Sequence, residues 1–436
     1  MLLAFLRSNR PRPGEHATGI LPLLLLPAML LALLPCAALA KPIQPASDDE
    51  LVEILPASSQ ARRMASRSLA ASGAQAAASG LPARGTTPIS LAPALAIAAA
   101  DAVQKAEQLL HIARTEDDPR AAGQALALLA PWHNDAQAPA ALIVIQATVE
   151  QFLHQFDTAR NRLQALVQRD PRQAQAWLTL ATLHRLRGDY AESDKACRAV
   201  VALQVALHGQ ACLAENQALR GQVDAARNSL QALIQSTSDA DSRAWLFTTL
   251  AELEQRDLRT TQADAAFRSA LAASPDGYTA LAYADFLIAQ GRGARATEVL
   301  QKQPRSDAVL IRLVVSGRQA DSGKSAKPAH GAGHAVNNAI NHNASELAER
   351  FAQAALRPGA AAGHAREQAL YALDVQRDPV AALRFAQANV VQQREPIDLL
   401  LLARAARAAK SDEATAATAR LKKEMSLHDR RLDALL

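Results

Sequence analysis

A pair of adjacent residues, one long and the next small, recurs along this chain at Gln146-Ala147, Leu180-Ala181, Leu213-Ala214, Leu250-Ala251 and Tyr283-Ala284, at spacings of 34, 33, 37 and 33 residues. A second column keeps step with it: Ala159, Ser193, Ala226, Ala263 and Ala296, each followed four residues later by Leu163, Cys197, Leu230, Phe267 or Leu300. Four residues make one turn of helix, so each small residue and its follower share a helix face. Between the columns the first helix ends at His154, Gly188, Gly221, Leu258 or Gly291, with glycine at three of the five, as a helix corner prefers. Pro171 and Pro275 close second helices. A period of this length with helical spacing inside it predicts stacked helical hairpins rather than one globular core. Composition agrees: 49% of residues are hydrophobic but 3% are aromatic, so the apolar content is mainly Ala and Leu, which favour helices that pack closely.

In these residues the chain resembles the tetratricopeptide repeat family. The best matches are Trp177-Leu178-Thr179-Leu180-Ala181 with Gly188-Asp189-Tyr190, and Leu250-Ala251 with Ala263, Phe267, Ala270 and Pro275. Departures are Gln146 and Ser193 at apolar or small positions, Leu258 where glycine is usual, and four extra residues near Ser236–Asp241. The repeats occupy 94–316, with Ala106–Leu129 as a degenerate first unit. Leu370 and Ala403, followed by Ala382 and Ala414, predict further hairpins over 344–436. The resemblance implies an all-α fold, an α-solenoid of antiparallel hairpins. The whole layout is similar to exported proteobacterial tetratricopeptide proteins of unassigned role, which names an architecture and no function.

The segments around the repeats differ in kind. Residues 1–40 carry Arg7, Arg10 and Arg12, then an apolar run from Ile20, then Ala38-Leu39-Ala40 before Lys41. This reads as a secretory signal peptide cleaved after Ala40, and the expected location is periplasmic. An uncleaved inner-membrane anchor is the alternative, because the run from Ile20 to Ala40 approaches the length of a bilayer span. Pro35 before Cys36 argues against lipidation. Residues 41–93, rich in Ala, Ser and Pro, are expected to be a flexible lead-in, with one acidic-apolar island at Asp48–Leu55. Residues 317–343 hold Gly, Ser, Asn and three histidines and are expected to form a mobile insertion.

Charge and motifs exclude several functions. The formal charge of +5, from 47 basic and 42 acidic residues, falls to +3 once Arg7, Arg10, Arg12 and Glu15 are removed. Without aromatic interleaving among the basic residues, nothing points to nucleic acid. Asp321-Ser322-Gly323-Lys324-Ser325 follows the strand-like Val309–Val315, yet a phosphate loop would need glycine at Arg318 and a helix where Pro328, Gly331 and Gly333 stand. HExxH, GxSxG and CxxC motifs are absent from the sequence, so the reading is of a non-enzyme that needs no cofactor. His330, His334 and His342 are weak metal candidates, without the spacing of a structured site.

Two further features depend on the register. Cys197 lies on a second helix and Cys212 on the following first helix, so they are placed either to form a disulfide between units or to act as two buried thiols. Trp177, Tyr190, Phe247 and Phe267 fall at interior columns. By resemblance to the family, the positions facing the concave groove are Gln151, Phe152, Arg185, Glu215, Trp245, Glu252, Gln255, Tyr278, Asp285 and Ile288. These first helices contribute no lysine there, which disfavours a lysine-based carboxylate clamp. The expected function is an exported scaffold or adaptor that binds a protein or peptide in that groove, without a membrane span after cleavage. The alternative is a metal- or ligand-handling accessory working through the His-bearing insertion.

Overall fold

The computed structural model describes residues 91–116, 119–322, 332–356 and 365–436. The predicted signal peptide, the lead-in with its acidic island, and Cys36 lie outside the described residues. All regular structure among the described residues is helical, in antiparallel pairs. The first part of the stack is α1 (Leu91–Glu116), α2 (Pro119–Leu129), α3 (Ala140–Phe152), α4 (Phe156–Arg169), α5 (Ala174–Leu186), α6 (Tyr190–Ala202), α7 (Ala206–Leu219), α8 (Val223–Ser236), α9 (Ala240–Arg256) and α10 (Thr260–Ala273). It continues through α11 (Gly277–Ala289), α12 (Gly293–Leu300), α13 (Asp307–Ser322), α14 (Ala332–Ala355), α15 (Ala365–Leu370), α16 (Pro379–Gln392), α17 (Pro396–Ala408), α18 (Asp412–Glu424) and α19 (Arg430–Asp433). No described helix is long and apolar enough to cross a membrane.

The two sequence columns are the packing interface. Ala147, Ala159, Ala181, Ser193, Ala226, Ala251, Ala263, Ala284 and Ala296 are completely buried, as are Leu163, Cys197, Leu230, Phe267 and Leu300. The polar departures are satisfied inside. Gln146 donates to the Leu129 carbonyl at 3.0 Å and accepts from Arg162 at 3.0 Å. Ser193 donates to the Ala181 carbonyl at 2.8 Å and accepts from Asn216 at 2.9 Å. The four extra residues lengthen α9 to 17 residues against 13 in α5, with Asp239 capping its N-terminus. Phe267 and Tyr190 are buried as expected, whereas Trp177 and Phe247 are half-buried at the edge of the core.

Each corner uses the left-handed backbone region. His154, Gly188, Gly221, Leu258 and Gly291 all have φ between 59° and 87°. The residue after each donates back to a carbonyl five residues earlier, for example Gln155 to Glu150 at 2.8 Å and Asp189 to His184 at 2.9 Å, which closes the helix end. Arg377 and Lys410 repeat this corner in the C-terminal region. At Asp378 the bond reaches back six residues, to Ala372, because Tyr371–Gln376 is wound one residue per turn wider than an α-helix.

The segment expected to be a mobile insertion is occupied largely by helix. α13 runs on to Ser322 and α14 begins at Ala332, so residues 317–322 and 332–343 are helical. The strand-like Val309–Val315 lies within α13, where Val309, Leu310, Ile311 and Val314 are buried. Low apolar content misled here because the hairpin packs through small residues. A Cβ on Gly317 would sit 2.8 Å from Ile340 of α14, a contact that only glycine leaves open.

The stack then returns on itself. The Arg394 amide donates to the Leu186 carbonyl at 2.7 Å, and the His428 amide to the Leu219 carbonyl at 2.7 Å. Arg187 reaches the Val391 carbonyl and Arg430 the Asp257 carbonyl, both at 3.1 Å. Met425, Leu427 and Leu432 share one core cluster with Tyr190 and Leu219. Gly188 is held at φ 78° with its missing Cβ only 2.6 Å from Met425, while Gly291, at φ 72°, has open space around it. Both Gly188→Ala and Gly291→Ala should lose about 1 kcal/mol to backbone strain. Gly188→Ala should lose at least about 1 kcal/mol more in urea denaturation by overpacking Met425; equal losses would mean that the C-terminal hairpins do not press on that corner.

Candidate functional site

The ten groove positions of the sequence reading fall on α3, α5, α7, α9 and α11, and most prove to be engaged across unit boundaries. Arg185 on α5 pairs with Glu215 on α7 at 3.2 Å. The Tyr278 hydroxyl on α11 donates to Glu252 on α9 at 2.6 Å. Asp285 on α11 accepts two hydrogen bonds from Arg312 on α13, both at 2.7 Å. Trp245 stacks on His208 with ring centroids 5.4 Å apart. The Ile288 carbonyl accepts from Gln319 at 3.0 Å, and the Ile288 side chain packs against the core. Phe152 turns into the α1–α3 core, while Gln151 and Gln255 are half-buried. Tyr278, 42% exposed, is the most open of the ten.

The ladder of pairs continues beyond the positions chosen from sequence. Arg366 on α15 binds Asp398 on α17 through Nε at 2.6 Å and Nη2 at 2.9 Å, and Glu395 at 2.7 Å. Asp398 is fully buried and also accepts from Asn389 at 2.7 Å, so its charge is met by donors on every side. Arg312 is missed because it stands in the strand-like Val309–Val315, and Arg366 because it belongs to the weak C-terminal units. A signal for α13 does exist. Ser316-Gly317 stands 33 residues after Tyr283-Ala284 and continues the first column.

The electrostatics of this wall follow from burial. Burial raises the Glu252 pKa, outweighing the lowering by Arg256 and by the Tyr278 hydrogen bond, and the Glu215 charge acts in the same direction as burial. Although the Tyr278 side chain is open, its hydroxyl is turned onto Glu252, and desolvation there and then the Glu252 carboxylate push the phenol well above its usual range. For Glu395 burial raises the pKa, but Arg366 prevails and holds the carboxyl below the ordinary range.

A disulfide joins Cys197 on α6 to Cys212 on α7, with Cα atoms 5.7 Å apart. Asn216 donates toward Cys197 Sγ at 3.7 Å, and the groove residue Arg185 lies 3.9 Å from Cys212 Sγ. The bridge therefore backs the Arg185–Glu215 rung directly. Of the three metal candidates, His330 and the His334 side chain lie outside the described residues. His342 projects from α14, three-quarters exposed, with Glu346 one turn away at 4.0 Å.

No family model matches the chain, and no curated protein matches it. Among solved structures it is similar to the human IFIT1 dimer with PPP-AAAA, at 14% identity over 71% of this chain and 69% of that one, with a TM-score of 0.41. It is also similar to a tetratricopeptide repeat protein from Parabacteroides merdae, at 11% identity over 57% and 99% of the two chains, TM-score 0.34. The P58(IPK) TPR domain follows at 15% identity over 67% and 95%, TM-score 0.23.

Glu252 gives a test of this geometry through pH. A carboxyl whose folded pKa lies above its unfolded value favours the folded state below the unfolded pKa, and that contribution is lost as pH rises through the folded value. Glu252→Gln keeps an acceptor for Tyr278. Its denaturation midpoint should equal the wild type's near about pH 4 and exceed it near about pH 7.5. A variant weaker than wild type at the higher pH would show that the wall needs the Glu252 charge.

Proposed function

We propose that this chain is an exported scaffold that holds a protein or peptide partner along the inner wall of its helical stack. The observation that carries the reading is the state of that wall. Successive first helices present aromatic and charged side chains already fixed by their neighbours, with Tyr278 exposed and Trp245 half-buried. Prepositioned side chains lose little freedom when a partner arrives, which favours binding. Aromatic anchors ringed by paired charges are the usual source of affinity in such a surface. Export rests on Arg7, Arg10, Arg12, the apolar run and Ala38-Leu39-Ala40, with Lys41 as the expected first residue of the mature chain.

The test is capture of partners by the exported protein from an envelope fraction, compared among variants. Trp245→Ala and Tyr278→Ala should each weaken capture by more than about 1 kcal/mol with cooperative melting retained. Unchanged capture by folded variants would remove the inner wall from the account. His330, His334 and His342 serve as the control, replaced singly by Ala because deleting the segment would cut into α13 and α14. A scaffold working through the wall keeps its partner in all three.

A further inference from the structure

Glu215, Glu252 and Asp285 share one register position, the residue after Ala214, Ala251 and Ala284 of the small-residue column, on the successive first helices α7, α9 and α11. The outer two are neutralised. Arg185, from the first helix before, pairs with Glu215 at 3.2 Å, and Arg312, on α13, pairs with Asp285 at 2.7 Å. The middle one is not. At the places around Glu252 equivalent to Arg185 and Arg312 the chain has Ala218 and Thr279, both buried and neither able to carry charge. Glu252 instead accepts from the Tyr278 hydroxyl at 2.6 Å, and among the described residues no cationic side chain lies within ion-pair distance of it. Arg256, one turn along α9, is itself buried and acts on Glu252 from beyond that distance. A half-buried carboxylate met by a phenol alone keeps its charge uncompensated, at a cost to stability. Costs of this kind are retained where function needs them.

We propose that Glu252 and Tyr278 form the seat for an arginine side chain of the bound protein or peptide. The proposal rests on the inner-wall reading for where the partner lies, and adds which side chain the wall selects. A guanidinium can donate to a carboxylate while its plane lies on an aromatic ring. Tyr278 offers that ring, as the most open of the ten wall residues, with its hydroxyl already on the carboxylate. Other side chains fit worse. An acidic one would bring a second charge of the same sign to Glu252, and an apolar one would cover the carboxylate without pairing it. A single cation suffices, because the rungs on either side are closed within the chain by Arg185 and Arg312.

The chain has four tyrosines, so ring-labelling them in the full-length mature protein gives a small set of signals in which Tyr278→Phe identifies one. The protein is titrated with N-acetylarginine methylamide and with its uncharged citrulline analogue. The arginine probe should shift the Tyr278 signal to saturation, and the citrulline analogue should bind at least about tenfold more weakly. Glu252→Gln should weaken the arginine probe about tenfold and leave the citrulline analogue unchanged. Glu298→Gln, exposed on α12, should alter neither. The comparison of the two probes on the wild type needs no variant, which keeps the proposal falsifiable even if Glu252→Gln folds poorly. If Tyr278 responds as expected while Trp245→Ala and Tyr278→Ala leave envelope capture intact, the inner-wall reading fails and the Glu252 seat for arginine stands. If capture depends on the wall and Glu252→Gln holds the same partner as tightly, the wall reading stands and the arginine proposal falls. A Tyr278 signal that ignores the arginine probe, moves equally with citrulline, or moves undiminished in Glu252→Gln also overturns it.

Discussion

Holding a residue with a side chain at positive φ costs roughly 1–2 kcal/mol, yet this chain does so at first-helix ends wherever glycine is missing. His154, Leu258, Arg377 and Lys410 adopt the same corner as Gly188, Gly221 and Gly291. The return is geometric. One left-handed residue reverses the chain so that the second helix lies against the first, and the bond back to the helix end satisfies a carbonyl that would otherwise be orphaned. With the corner fixed, the buried alanine columns set how close the helices come. Corner and column together determine the rise and rotation per unit, and hence where the last hairpins arrive.

They arrive on the early corners. Because the contact is made through backbone amides of Arg394 and His428 on carbonyls of Leu186 and Leu219, it depends on the accumulated path of the units between more than on the identity of the touching side chains. The inner wall is formed by successive first helices. Its charges are paired in rungs, Arg185 with Glu215, Asp285 with Arg312 and Arg366 with Asp398, and each rung crosses a unit boundary. Buried pairs of this kind add little net stability over apolar packing, but breaking one leaves an uncompensated charge. The rungs therefore hold the register of neighbouring units.

The repeat core was legible in the sequence because its signal is a column of small residues, and every small residue of both columns is buried. The corner was legible for the same reason: glycine marks it three times in five. The α13–α14 hairpin was not, since its own packing uses Ser316, Gly317 and Ile340 in a composition that resembles a linker. Cross-unit rungs escape a sequence reading on different grounds. Asp285 and Arg312 stand 27 residues apart, a separation that means nothing until the unit geometry is known. The groove list treats Arg185, Asp285 and Tyr278 as free to meet a partner, whereas each already holds a neighbour.

The C-terminal hairpins close onto the third and fourth hairpins of the stack. Amide hydrogen exchange on the full mature chain reads this most directly, at Arg394 and His428, whose partners are the Leu186 and Leu219 carbonyls. Both amides should be protected to the same degree as the corner amide of Asp189, because opening either requires lifting the return contact. Exchange of Arg394 and His428 at the rate of an unstructured chain, with Asp189 still protected, would contradict it and leave the solenoid open.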